Sequence, residues 1–213
     1  MNQIRILVAD DHEVVRRGLV LVLRQEEDFE IVGETQDGAE TVELCRTLTP
    51  DLVLLDWKMP KMNGLKAAKV IKDEQPTIRT LVLSGAPVET AVLDALDQGV
   101  DGFIHKDVSS DGLAHAIRVV AKGGSYLGPQ VTQALLEKSR KIDQSVDLVP
   151  LSPRELEIVQ LMATSATYKE IGSQLNISET TVHTHVKRIF TKLDQPNRTQ
   201  AVIMALRLGL IEL

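Results

Sequence analysis

Cysteine and long apolar runs are scarce in this sequence, and each shortage excludes a class of protein. A single cysteine, Cys45, cannot form a disulfide within the chain, so a disulfide-stapled scaffold is excluded. No apolar run reaches the ~18 residues that a membrane helix needs. The opening MNQIRILVAD lacks the charged region and cleavage site of a signal peptide. These absences predict a cytoplasmic protein without a membrane segment, in which Cys45 is a buried thiol on the apolar face of a helix.

Positive charge is also in short supply, which at first argues against a nucleic-acid partner. The net charge is −6 over the 213 residues. The deficit lies in residues 1–128, which hold 14 Lys and Arg against 21 Asp and Glu, whereas residues 151–213 hold 7 against 6. The C-terminal segment alone could therefore approach a polyanion without strong repulsion.

The first half of the chain alternates short apolar runs with amphipathic stretches. The runs cover 4–9, 30–34, 51–55, 80–84 and 101–106, and the stretches cover 13–27, 38–48, 62–75, 87–98 and 109–122. The runs are rich in Val, Ile and Leu and barely alternate, which is typical of strands covered on both faces. The pattern predicts a doubly wound, five-stranded parallel sheet that binds its ligand at the carboxyl ends of the strands.

Beyond GGSYLG (123–128) the pattern becomes helical. A helical stretch is expected up to about 141, then a polar linker over 142–150. Ser152, Pro153 and Glu155 form the signature of a capping box, and further helices are predicted over 168–175, 179–193 and 198–208. We therefore expect a first domain at 1–124, a linker with a helical part at 125–148 and an all-α domain at 149–213.

Acidic and other polar residues end several predicted strands. Asp10 and Asp11 end the first strand, Asp56 the third, Ser84 the fourth and Lys106 the fifth. In a parallel sheet these side chains converge, and the clustered carboxylates need a cation such as Mg²⁺ to neutralise them. A lysine and a hydroxyl at the same edge indicate an anion with several oxygens, such as phosphate. The set predicts phosphoryl chemistry with a carboxylate as nucleophile.

The motifs DDHEVVRRGL, DWKMPKMNGL and LSG, with Lys106, resemble the receiver domain of bacterial two-component response regulators over residues 3–122. The resemblance implies that Asp56 is the phospho-acceptor and that Phe103 is the switch aromatic. It implies Mg²⁺ bound by Asp56, by Asp11 directly, by Asp10 through water and by the backbone carbonyl of Lys58. Ser84 would hydrogen-bond the phosphoryl group and Lys106 would pair with it. Singly, each residue has a plainer interpretation, since an Asp pair is often a turn and cap and a lone Lys a surface charge.

The C-terminal stretch YKEIGSQLNISETTVHTHVKRIFTKL carries two helices with a tight connection. Val182, Val186, Ile189 and Leu193 are spaced as one buried stripe. The opposite face carries hydroxyls, cations and an imidazole: Thr180, His183, Thr184, Lys187, Arg188 and Thr191. Such a pair of helices predicts helix-turn-helix DNA binding. The alternative is a small helical bundle with a solvated basic face.

Together with LSPRELEIVQLMA and RTQAVIMALRLGLI, this stretch resembles the LuxR-type domain of the NarL/FixJ class of response regulators over about 149–211. The resemblance implies base contacts from His183, Thr184 and Lys187. It implies phosphate contacts from Lys169, Thr181, Arg188 and Lys192, and a dimer contact through Val202, Ala205 and Leu206. The chain departs from the class at His183, where many members have a basic residue, and at Ser165 and Asp194, where glycine is common.

The sequence thus predicts a cytoplasmic DNA-binding response regulator that is not a turnover enzyme. Its expected partners are a sensor histidine kinase, promoter DNA, a second copy when active and RNA polymerase, with Mg²⁺ as cofactor. A regulator of the same architecture that works without phosphorylation stays open. A phosphohydrolase with a helical accessory domain is a further rival, although no substrate-binding cap insertion is evident.

Overall fold

The computed structural model describes residues 3–85, 99–128 and 150–211. Within them a parallel sheet has the order β2-β1-β3-β4-β5-β6. The strands are β1 Ile4–Ala9, β2 Phe29–Thr35, β3 Leu52–Asp56, β4 Arg79–Ser84, β5 Gly102–His105 and β6 Tyr126–Leu127. The predicted parallel α/β fold is confirmed, with one strand more than the five expected. The extra strand, β6, has only two residues, too few for any apolar pattern to reveal it.

Helices cover both faces of the sheet: α1 Glu13–Leu23, α2 Gly38–Leu48, α3 Gly64–Glu74 and α4 Ser110–Ala121. The first helix was predicted to run to residue 27 but ends at Leu23. The amide of Gln25 donates to the Val22 carbonyl and that of Glu26 to the Leu23 carbonyl, and such i→i−3 bonds tighten and close a last turn. The helix predicted over 87–98, the helical stretch to 141 and most of the linker at 142–150 lie outside the described residues.

The core of this α/β part lies in two layers, one on each side of the sheet. Every residue of β3 is buried, as expected of a continuous apolar strand. One layer includes Leu55, Ile71 and Cys45, and the other is built around Leu54 and Ile117. Cys45 is fully buried, which confirms its prediction as a structural thiol, and burial raises its pKa to about 12.

The C-terminal part is a bundle of four helices in residues 150–211: α5 Pro153–Ala163, α6 Tyr168–Leu175, α7 Glu179–Leu193 and α8 Arg198–Arg207. The predicted capping box is present, because the Ser152 amide donates to Glu155 Oε2 at 2.7 Å and the Ser152 hydroxyl accepts from the Glu155 amide. The predicted stripe on α7 is also confirmed, with Val182, Val186, Ile189 and Leu193 all buried. Ser165 and Asp194, which stand where glycine is common, both adopt positive φ, 63° and 52°.

The two parts meet where α8 approaches the amino-terminal edge of the sheet. Thr199 Oγ1 donates to the Asp101 carbonyl at 3.1 Å and lies 2.9 Å from Ser125 Oγ. Ile203 of α8 packs into the same apolar cluster as Val100. The junction therefore lies at the end of the sheet opposite to the carboxyl ends of the strands. Among the residues that the structure describes, no helix is long and apolar enough to cross a membrane.

Candidate functional site

Acidic side chains converge at the carboxyl ends of β1 and β3, as the parallel topology predicts. Asp10 follows β1 and is fully buried, and Asp56 ends β3 and is 4% exposed, whereas Asp11 is solvent-exposed. Ligand atoms of these three residues and of His12 all lie within 4.8 Å of one another. The backbone amide of His12 donates to Asp10 Oδ1 at 2.9 Å, which holds this carboxylate at the edge of the sheet.

Lys106 supplies the positive charge of this acidic pocket. It follows β5, and its amide donates to the Ser84 carbonyl at 2.9 Å, so that β4 and β5 place it together. Its Nζ lies 2.7 Å from Asp10 Oδ2 and 3.0 Å from Asp56 Oδ1. Burial raises the Asp56 pKa, against the opposing effect of the Lys106 ammonium. Burial acts to lower the Lys106 pKa, but its bonds to both carboxylates outweigh this and raise it.

The loop after Asp56 folds back onto the end of its own strand. The Trp57 amide donates to the Leu83 carbonyl at 2.9 Å, and the Gly64 amide donates to the Trp57 carbonyl at 3.0 Å. A Cβ at position 64 would lie 2.1 Å from the Asp56 carbonyl oxygen, so only glycine permits this close approach. Asn63 caps α3 by accepting from the Lys66 amide at 2.9 Å. Asn63 therefore starts α3, and Gly64 closes the loop that follows Asp56.

The remaining predicted pocket residues fall into two groups. Ser84, the last residue of β4, is buried and lines a cavity of about 380 Å³ with Asp56, Lys106 and neighbouring loop residues, which are His12, Trp57, Lys58 and Gly85. Lys58 extends over the Trp57 ring, with Nζ 5.9 Å from the ring centroid. Phe103 does not line this cavity but lies fully buried in the core beside Val82.

The donor set fits a hard divalent cation. Carboxylate oxygens are the ligands that Mg²⁺ prefers, and a cation here would relieve the repulsion between Asp10, Asp11 and Asp56. Sequence reasoning missed His12, whose Nδ1 lies 2.7 Å from Asp11 Oδ1. Its position directly after the Asp pair was the available signal. The side chain is 67% exposed, so it stands at the rim of the pocket.

The second candidate site is the exposed face of α7. The six residues predicted on it are all exposed, opposite the buried stripe: Thr180, His183, Thr184, Lys187, Arg188 and Thr191. Within the described ranges, Lys187 and Arg188 make no ion pair, so both charges point to solvent. This face can offer two cations, hydroxyls and an imidazole to the groove of a nucleic acid.

Other residues predicted to contact phosphates are placed differently. Lys192 Nζ lies 2.7 Å from Glu155 Oε2 and donates to the Pro150 carbonyl at 3.1 Å, so it is engaged within its own domain. The Thr181 hydroxyl lies 2.8 Å from the Ser178 hydroxyl at the start of α7. Lys169 is exposed on α6 and lines a cleft that Lys122 of the sheet part also lines.

The prediction that Val202, Ala205 and Leu206 are available for a dimer contact is wrong for this structure. They are 3%, 0% and 6% exposed and belong to the hydrophobic core of the helical bundle. These residues lie on the face of α8 that packs against α5 and α7. The dimer contact was implied by the family resemblance, whereas the helical spacing of these residues marks the helix's own core.

Comparisons with known proteins match both parts of the chain. Residues 6–118 match the response regulator receiver domain, and residues 149–205 match the luxR family of bacterial regulatory proteins. The response regulator protein VraR of Staphylococcus aureus is 38% identical over 98% of this chain and 99% of its own length.

Similar structures have the same two-part architecture. The response regulator ChrA of a heme-sensing two-component system is 31% identical, with a TM-score of 0.57 over 99% of this chain and 100% of that one. RcsB, solved as two dimers bound to two parallel DNAs, is 27% identical, with a TM-score of 0.59 over 97% and 99%. The chain belongs to the family of two-component response regulators that join a receiver domain to a LuxR-type DNA-binding domain of the NarL class.

Proposed function

We propose that this protein is a transcription regulator whose DNA binding is controlled by phosphoryl transfer from a sensor histidine kinase to Asp56. The observation that carries the proposal is the pocket at the sheet edge. There Asp56 is held by Lys106 at 3.0 Å, beside Asp10, Asp11 and the Ser84 side chain. We place the functional domains at 1–124 and 149–213, joined by a linker with a helical part at 125–148.

In the transfer step, an Asp56 carboxylate oxygen attacks the phosphorus of a phosphohistidine. The new O–P bond forms as the P–N bond breaks, and the kinase imidazole takes a proton. Lys106 already lies between Asp10 and Asp56, so its ammonium needs little movement to pair with a phosphoryl oxygen. The Ser84 hydroxyl, on the adjacent strand end, is the donor for another.

Asp10, Asp11 and Asp56 would hold Mg²⁺, together with the Lys58 backbone carbonyl. When bound, the cation neutralises charge on the carboxylates and on the transferring group. Asp10 and Asp56 are buried close to Asp11, and Lys106 supplies only one positive charge against these three carboxyl groups, so a divalent cation would balance the remaining charge.

The signal has to travel along the strands, because the pocket and the domain junction lie at opposite edges of the sheet. Ser84 ends β4 and Phe103 lies in β5, while Asp101 directly precedes β5 and accepts from Thr199. A shift of β4 and β5 on phosphorylation would alter the Asp101–Thr199 contact and the packing of Ile203. Release of α8 would then free the helical domain to pair with a second copy.

The freed domain would read promoter DNA with α7. His183, Thr184 and Lys187 contact bases in this proposal, and Thr181, Arg188 and Lys169 contact phosphates. Pairing of two domains would set two copies of α7 on half-sites about one helical turn apart. A bound RNA polymerase is the expected recipient of the regulatory signal.

The Asp56→Asn variant tests the proposal against the matched Asp73→Asn variant, an exposed acid on α3. Wild type and Asp73→Asn should gain one phosphoryl group from acetyl phosphate with Mg²⁺, measured by intact mass. Both should then bind DNA selected from a randomised duplex library about tenfold more tightly, equivalent to about 1.4 kcal/mol. Asp56→Asn should show neither change.

Two results would contradict the proposal. A phosphoryl group on Asp56→Asn would place the acceptor elsewhere. Equal DNA affinity of phosphorylated and unphosphorylated wild type would favour a regulator controlled by protein contacts alone.

A further inference from the structure

The DNA-reading face of α7 contains one side chain that is fixed by an aromatic contact. The ring centroids of His183 and Tyr168 lie 4.5 Å apart, and the rings are inclined by 77°. This is the near-perpendicular arrangement that aromatic pairs prefer. In the described parts of the chain, no hydrogen bond reaches the His183 imidazole. Tyr168 is therefore the contact that restricts the orientation of this ring.

Tyr168 is itself held rigidly. It is the first residue of α6, and its backbone follows Thr167, whose capping box with Glu170 fixes the helix start. The Arg198 guanidinium lies over the Tyr168 ring, with the guanidinium carbon 5.2 Å from the ring centroid.

The Arg198 guanidinium is anchored in turn. It is 5% exposed and donates to the Met162 carbonyl at 2.9 Å and to the Ala166 carbonyl. A continuous chain of contacts thus runs from the end of α5 through Arg198 and Tyr168 to His183. The His183 imidazole therefore packs against a tyrosine that is itself restrained by a buried arginine.

The neighbouring cations have no comparable support. Lys187 and Arg188 are exposed and make no ion pair within 3–85, 99–128 and 150–211. Long unpaired side chains adopt many conformations, so Arg188 can follow a phosphate, and Lys187 would take up its direction toward a base only when DNA binds. A base contact needs a defined direction, because the donor or acceptor has to meet a base edge in the groove.

We propose that Tyr168 is a positioning residue for DNA readout, which fixes the His183 imidazole so that it discriminates one base pair of the operator. The inference rests on the proposed DNA binding by α7. An imidazole N–H directed into the major groove can donate to the N7 of a purine, so a purine is the expected base at that position. Operator preference at this position would depend on a residue outside the recognition helix.

The test compares the full-length protein with Tyr168→Leu, Tyr168→Phe, His183→Ala and the Tyr168→Leu/His183→Ala double variant. A randomised duplex library selects the preferred site for wild type, and affinities are then measured for all four base pairs at each position. His183→Ala should lose discrimination at one position, and Tyr168→Leu should reduce it there by about 2- to 10-fold. Tyr168→Phe keeps the ring and should match wild type.

The double variant separates positioning from a general structural effect. If Tyr168 acts through His183, Tyr168→Leu should change nothing further in the His183→Ala background. An equal loss in that background, or a loss spread over many positions, would overturn the proposal. So would a loss in Tyr168→Phe as large as in Tyr168→Leu.

A second measurement needs no DNA. The ring current of Tyr168 should shift the His183 imidazole proton resonances in wild type and Tyr168→Phe, and this shift should vanish in Tyr168→Leu. Identical resonances in all three would refute the contact. Failure of wild type to select any DNA site would instead refute the proposed DNA binding, and this readout role with it.

Discussion

The receiver pocket and the exposed face of α7 both carry positive charge, but they hold that charge in opposite ways. In the pocket Lys106 is bonded to Asp10 and Asp56, both buried. On α7 the charges of Lys187 and Arg188 are exposed and unpaired among the described residues. We therefore expect the paired lysine in the pocket to contribute to stability and the unpaired cations on α7 to contribute to binding.

The largest effect is expected in the pocket. Lys106→Met would leave the buried carboxylates without a countercharge, which should lower the free energy of unfolding at pH 7 in EDTA by about 2 to 3 kcal/mol. Because the loss raises the Asp56 pKa further, the deficit should shrink as the pH falls and Asp56 becomes protonated. Added Mg²⁺ should also reduce it, as measured by urea unfolding.

Lys58→Met is the matched control, since Lys58 lines the same cavity but makes its described side-chain contact with the Trp57 ring. Its stability should stay close to wild type. Equal losses for both variants would mean that the pairing in the pocket contributes nothing specific.

The second effect should appear only in DNA binding. Arg188→Gln should weaken binding to the selected site by about tenfold, or about 1.4 kcal/mol. Removal of one phosphate contact should also reduce the slope of log K against log salt by about 0.9. Thermal stability should not change, because the side chain is exposed and unpaired within the described residues. If Arg188→Gln lost stability but kept its DNA affinity, Arg188 would have the stabilising role expected of Lys106, and the contrast between the two sites would be contradicted.

Lys192 lies on the same helix as Lys187 and Arg188 and was predicted to contact phosphate. Like Lys106, however, it is paired with a buried carboxylate, that of Glu155. Burial acts to raise the Glu155 pKa, but Lys192 and the Ser152 amide outweigh it, so the pKa lies below its ordinary value of 4.5. A lowered carboxyl pKa stabilises the fold above the unfolded value and loses this effect as the pH falls through the folded value. Lys192→Met should therefore cost about 1 kcal/mol at pH 7 and less below about pH 4.

Scanning calorimetry of the full-length protein would measure this loss in the transition of the helical domain. Lys187→Met, on the same helix but exposed, should leave that transition unchanged. If Lys192→Met instead impaired DNA binding as strongly as Arg188→Gln, the original phosphate assignment would stand.

The smallest effect concerns the end of α7. Asp194 closes the helix at φ 52°, a conformation that glycine adopts without steric cost. Asp194→Gly should raise the free energy of unfolding by about 0.5 kcal/mol, measured by thermal melting. Asp194→Ala has no such freedom and should not stabilise. Stabilisation by alanine would show that the left-handed cap is not the cause.

Local patterns predicted much of the fold because they record which faces are buried. Continuous apolar strands predicted the parallel sheet, and Ser152 with Glu155 predicted the start of α5. Apolar patterns failed where an element was too short to have a period, as in β6. The family resemblance misled at α8, where Val202 and Ala205 were expected to form a dimer contact but pack into the core of the helical bundle.

The sequence by itself determined that Asp10, Asp56, Ser84 and Lys106 meet at one edge, because parallel strands bring their carboxyl ends together wherever the chain places polar residues. Only the tertiary structure decided which charges are paired and which are offered to a ligand. Lys192 pairs with Glu155, which lies 37 positions away in the sequence. The Tyr168 ring on α6 contacts the His183 ring on the next helix, α7. Such pairings depend on how helices pack against each other, which no local spacing records.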